Sequence, residues 1–140
     1  MTTLPVKLNY KDQQRIAILN AEENLLQELL AEFPGVTVDT VIDPRYPYEF
    51  MLVFVRFVCE VEGLASSALH NLISDGILWF AFPRKISKKL STDIDRDHGW
   101  EYIIDKGFDR VRLISINQDW SAIRFRNVRF IKSVHHRFSH

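Results

Sequence analysis

Apolar residues recur along this chain with two different periods, and the period predicts the element. In "NAEENLLQELLAEFPG" (20–35), Leu26, Leu30 and Phe33 fall at helical spacing, with Leu25 and Leu29 widening the stripe. Asn20 and Glu23 stand at capping-box spacing before it, and Pro34-Gly35 stops it. Upstream, Val6, Leu8 and Tyr10 alternate with polar residues and predict a short strand. Ile16 and Leu19 continue the helical face of the next segment, so 11–19 reads as helix; the second arm of a hairpin is the alternative.

"VTVDTVI" (36–42) is β-branched and alternating, a strand, and Pro44 and Pro47 break the chain after it. "FMLVFVRFVCEV" (50–61) is apolar on both parities, which predicts a strand covered on both faces, with a buried helix as the alternative. "GLASSALHNLISDG" (63–76) reads as a helix with Ala65, Leu69, Leu72 and Ile73 along one side. "ILWFAF" (77–82) is a strand ended by Pro83, and 84–99 is a charged connection long enough for a functional loop. "WEYII" (100–104) is a strand or a helical turn, and "RVRLISI" (110–116) a strand followed by an Asn117-Gln118-Asp119 turn. In "IRFRNVRF" (123–130), Ile123 and Phe125 share one parity and Arg124 and Arg126 the other, until parity flips at Asn127. A flip needs a bulge, a turn or a passage to another face. The expected fold is α+β: one domain over 1–140, a largely antiparallel or mixed β-sheet, and two main helices packed on one face of it.

Composition fits that picture. The chain has 140 residues, 46% hydrophobic and 26% charged, enough for a core without cross-links. Cys59 is its one cysteine, so no intramolecular disulfide or multi-cysteine zinc motif exists, and its apolar neighbours predict a buried small hydrophobe. No apolar run reaches the ~20 residues of a membrane span, and no secretory signal opens the sequence. A cytoplasmic protein with no membrane partner is expected. The formal net charge is zero, but residues 1–62 carry five Lys/Arg against ten Asp/Glu and residues 63–140 thirteen against eight. Such a chain either pairs its halves on folding or offers one charged face to a partner.

Candidate chemistry is sparse. Asp93, Asp95 and Asp97 alternate as in a calcium loop, but His98 takes the glycine position and Ile104 the position of the bidentate glutamate. They remain weak metal candidates. His136 and His140 have i, i+4 spacing without a carboxylate to complete a site. Ser66 and Ser67 precede His70 within a helix, away from any nucleophile elbow. No glycine-rich phosphate loop is present, and no cofactor is implied.

The function expected from these features is a non-catalytic protein-binding module, of inhibitor or immunity type, held by charge-steered association with another protein. Its anchors would be Trp100, Trp120, Tyr46 and Tyr48, with Arg124, Arg126, Arg129 and Lys132 as a basic ridge. Two alternatives stand beside it: nucleic-acid binding through that ridge, and a metal-assisted enzyme built on the 93–97 aspartates. The sequence favours a non-enzyme.

Overall fold

Along Tyr48–Phe54 (β3) every residue but Glu49 is buried. A strand covered on both faces belongs in the middle of a sheet with a layer above and below. The computed structural model, which describes residues 3–131, places it there. Its neighbours are Arg15–Leu19 (β1) and Leu72–Pro83 (β4), both parallel to it. Thr37–Asp39 (β2) extends the sheet beyond β1, also in parallel. On the other side Trp120–Asn127 (β6) pairs antiparallel with β4, and Phe108–Ser115 (β5) closes the edge. The six-stranded order is β2-β1-β3-β4-β6-β5.

The chain steps from β1 outward to β2, then returns across β1 to β3 and continues to β4. Parallel strands joined by right-handed crossovers must put connections of opposite direction on opposite faces. Glu23–Glu32 (α2), between β1 and β2, accordingly packs Leu25 and Leu29 against Ile16, Ile18, Phe50 and Leu52. Val58–Asn71 (α3), between β3 and β4, packs Val61, Ala65 and Ala68 against Leu19, Val53 and Phe80 on the other face. The short helix Glu101–Asp105 (α4) buries Ile103 in the same layer as α3. The short helix Leu4–Lys7 (α1) precedes Leu8, whose carbonyl accepts the buried Trp79 indole N–H at 2.8 Å. None of the helices among the described residues is long and apolar enough to cross a membrane.

Several expectations are corrected. The sheet is mixed, one of the two forms expected, but its parallel half sets the topology, and the two main helices lie on opposite faces instead of one. Residues 15–19 are a strand, because Ile16 and Ile18 face α2 while Ala17 and Leu19 face α3. That alternation is invisible when both parities are apolar. Residues 4–7 are helical, with Pro5 in the first turn where its missing N–H costs nothing. The apolar run 50–61 is split: the strand ends at Phe54, and α3 starts at Val58. Cys59, expected in the core, is exposed on α3. Asn20 does not cap α2, whose N-cap is Glu22; it adopts φ +64 at the end of β1 instead. The parity flip at Asn127 is the end of β6, where the chain enters a 3₁₀ turn over Val128–Phe130.

Trp79 joins the N-terminal segment to the middle of the sheet through one buried hydrogen bond. Trp79→Phe leaves the Leu8 carbonyl without its donor and is expected to cost at least about 1–3 kcal/mol in urea unfolding.

Candidate functional site

The crossover from β2 to β3 spans residues 40–47 and carries no helix. Parallel crossovers generally use a dozen or more residues and fill the face with a helix. Here the face of β1 beside α3 is left hollow. The result is an open cavity of about 820 Å³ between α3 and the crossover. One wall is a stripe of α3: Gly63, Ser66, Ser67 and His70, at i, i+3, i+4 and i+7. The opposite wall is Thr40, Val41, Ile42 and Pro44, and Leu19 and Asn20 form the end at β1. Val41 is 77% exposed. None of the lining side chains is acidic, lysine or arginine.

The crossover is held in place by a polar cluster behind it. The Arg15 guanidinium bonds Asp39 at 2.8 Å and Asp43 at 3.1 Å and lies 4.3 Å over the Tyr46 ring. The Tyr48 hydroxyl donates to Asp39 and accepts the Asp43 N–H. Burial raises the Tyr48 pKa, and its bond to Asp39 adds to the rise. Asn71, the one polar residue among the buried described positions, donates to the carbonyls of Asp43 and Tyr46, both at 3.1 Å, and ties α3 to the crossover.

At the carboxyl ends of β1 and β3 the chain turns in opposite directions, which in open α/β sheets is where ligands enter. In this protein Asn20 spans that crevice. Its Nδ2 donates to the Phe54 carbonyl at 2.9 Å and to Glu60 Oε2 at 3.0 Å. Glu60 Oε1 accepts the N–H groups of Arg56 and Phe57. Burial pushes the Glu60 pKa up, but those N–H donors and Asn20 outweigh it, and the net shift is downward.

The predicted site residues scatter. Asp93 Oδ1 accepts the Val58 N–H at 2.9 Å, capping α3 from a distant loop. Asp95 accepts the N–H groups of Asp97 and His98 within its own turn. Asp97 faces solvent beside Arg96. The three carboxylates do not converge, and no group of His, Cys, Asp and Glu among the described residues could hold a metal. That corrects the metal reading. Trp100 is 1% and Trp120 7% exposed, so both are core residues, and neither offers surface to a partner. Tyr48 is wholly buried. Tyr46 stacks on Arg15.

The described arginines of the expected basic ridge are engaged within the chain, by bonds or by burial. Arg126 makes a bidentate bond to Asp75, both contacts 2.7 Å. Arg129 leans over Phe130, with Nη2 3.4 Å from Ser74 Oγ. Arg124 lies half-buried between Trp79 and Arg112 across the strands, and burial, then Arg126, lowers its pKa. Lys132, His136 and His140 lie outside the described residues. The cavity stripe was legible as helical spacing in "GLASSALH". What sequence reasoning missed was the hollow it faces, because that depends on a crossover without a helix.

No protein-family model matches the sequence, and no curated protein is similar to it in sequence. Solved structures match in fold. A SAM-dependent methyltransferase from Aquifex aeolicus superposes with a TM-score of 0.54 at 9% identity, over 87% of this chain and 86% of that one. A fibrillarin pre-rRNA processing protein from Methanococcus jannaschii gives 0.53 at 14% identity, over 89% and 69%. The N-methyltransferase NodS from Bradyrhizobium japonicum, in complex with S-adenosyl-L-homocysteine, gives 0.51 at 10% identity, over 81% and 66%. The chain therefore has a methyltransferase-like fold. This likeness overturns the expectation of a non-catalytic protein-binding module of inhibitor or immunity type.

Asp43, Glu60, Asp75 and Asp95 all have lowered pKa values. A carboxyl lowered by folding contributes stability above its unfolded pKa, and that stability is lost as pH falls through the folded pKa. Stability should thus fall steadily below about pH 5. The Asp75 shift comes first from its bond to Arg126, so Asp75→Asn should flatten that fall in urea titrations across pH.

Proposed function

We propose that this protein uses a methyltransferase-like fold to bind a small, uncharged, largely aliphatic organic molecule in the cavity between α3 and the 40–47 crossover. The observation that carries this reading is the lining. Leu19, Val41, Ile42, Pro44 and Leu64 supply an apolar body, and Thr40, Ser66 and Ser67 supply hydroxyls that both donate and accept. A volume of about 820 Å³ falls within the range of small-molecule sites. No cation is present to meet a phosphate and no carboxylate to meet an ammonium group. His70 provides the one aromatic ring along this lining.

S-adenosylmethionine, the cofactor that the fold suggests, does not fit the residues present. A ribose at the end of β2 would need a free carboxylate. Asp39 stands there, but Arg15 and Tyr48 engage it. The turn after β1 would need glycine for close approach. Asn20 stands there, and its side chain fills the crevice.

Gly63 supports the reading. A glycine inside a helix costs about 0.5–1 kcal/mol relative to alanine. A Cβ built at Gly63 meets nothing within 4 Å, so packing does not demand glycine. Its absence of a side chain keeps the cavity open. Gly63→Ala should therefore raise stability by about 0.5–1 kcal/mol in urea unfolding. Gly63→Phe should fold and fill the cavity. Nile red, an uncharged apolar fluorophore, is expected to brighten with the wild type and not with Gly63→Phe. Equal fluorescence from both proteins, or none from the wild type, removes this reading.

A further inference from the structure

Two arginines on β5 and β6 face each other without a counter-charge. Ile123 and Phe125 turn to the α3 layer, so Arg124 between them turns to the other side of the sheet. There it lies directly opposite Trp79 of β4, which belongs to the α2 layer, and opposite Arg112 of β5. Like charges directly opposite on neighbouring strands are destabilising. The Arg124 Nε is buried and has no hydrogen-bond partner. Among the described residues, no hydrogen bond or salt bridge reaches either guanidinium. Burial, then the charge of Arg126, lowers the Arg124 pKa; Asp75 opposes that and Arg112 adds to it. Asp75 is already spent on Arg126, through two contacts of 2.7 Å. Because the Nε is out of reach of water, the outer nitrogens of Arg124 are left to meet its charge. Arg124 is half-buried and Arg112 exposed, so the pair opens outward.

We infer that the Arg112–Arg124 pair is a binding site for a phosphate dianion, either free or carried as a monoester on a small molecule. Two adjacent cations call for two negative charges, and guanidinium forks match phosphate oxygens in pairs. A carboxylate or a phosphodiester brings one charge and leaves the other cation unmet. Arg126, the neighbouring cation on the same side of β6, is neutralised by Asp75 and marks the border of the site. This site lies across the sheet from the cavity, goes beyond the cavity reading and does not depend on it.

The test is an NMR titration of the full chain at about pH 8, where phosphate and its monoesters carry close to two charges. Inorganic phosphate and glycerol 2-phosphate are the probes. Dimethyl phosphate, a monoanion, and chloride at equal ionic strength are the controls. Both probes should move the Arg124 Nε–H resonance and the Arg112 and Arg124 backbone amides saturably. Dimethyl phosphate should bind at least about tenfold more weakly, for want of one charge-assisted contact. Tighter binding of glycerol 2-phosphate supports an esterified ligand, and tighter binding of inorganic phosphate a free one. At about ten times its Kd, either probe should raise the wild-type Tm by about 4 °C over chloride. Arg112→Gln, at an exposed position, should fold, melt in chloride at or above the wild type, and lose the rise with phosphate. The absence of a saturable shift at Arg124 with both probes overturns the inference. So does equal affinity for dimethyl phosphate, or an Arg112→Gln protein that still responds to phosphate as the wild type does. Nile red capture is read at the cavity on the other side of the sheet, so the two proposals fail independently.

Discussion

The handedness of parallel crossovers governs this structure. β1 leads one way across the sheet and β3 the other, so the two connecting helices are driven to opposite faces. The crevice and the cavity both follow from that parting of the chain. It makes β3 a strand buried on both sides, which explains the dense run of phenylalanine, valine and leucine there. It also creates a crevice between β1 and β3, and a face beside α3 that the β2-to-β3 connection has to cover.

This chain handles the two openings differently. The crevice is closed by an amide and a carboxylate that bond each other, the Phe54 carbonyl of β3 and the N–H groups of Arg56 and Phe57 leading into α3. The face beside α3 is spanned by a short polar-anchored segment and left hollow. Charges follow the same inward logic. Arg15 serves Asp39 and Asp43, and Arg126 serves Asp75, each pair within its own half of the chain. The uneven distribution of charge along the sequence therefore does not reappear as a bond between halves through these pairs. On the C-terminal strand itself, Arg126 is bound to Asp75 and Arg124 is half-buried.

The legible parts of the sequence were those whose signals are local. The α2 stripe, β4 from Ile77 onward, β5, β6 and the break at Asn127 depend on neighbours a few residues away, whereas 72–76, expected to continue the α3 helix, already belong to β4. The misread parts depend on distant ones. Whether 15–19 is strand or helix is decided by Phe50 and Val53 lying alongside, not by its own spacing. The start of α3 is fixed by Glu60 nearby but also by Asp93, which arrives from a loop far along the chain. Asp93 looked like a metal ligand because alternate carboxylates carry the same pattern whether they meet a cation or a row of N–H groups. Trp100 and Trp120 looked like anchors for the complementary reason: nothing local tells a core tryptophan from a surface one. In the cavity, Gly63, Ser66, Ser67 and His70 were visible as one helical face, while the hollow opposite them was not.

The 40–47 crossover also acts as a ruler. Both its ends are fixed in the sheet, at Asp39 and Tyr48, and an extended chain reaches no more than about 3.3–3.6 Å per residue. The outer wall of the cavity is thus a tether of set length, not a surface that side chains can remodel freely. The breadth of any guest is limited by how many peptide units lie between the two strands. The reach of this outer wall is set by the count of residues in the crossover, whereas the facing wall on α3 is set by the identity of Gly63.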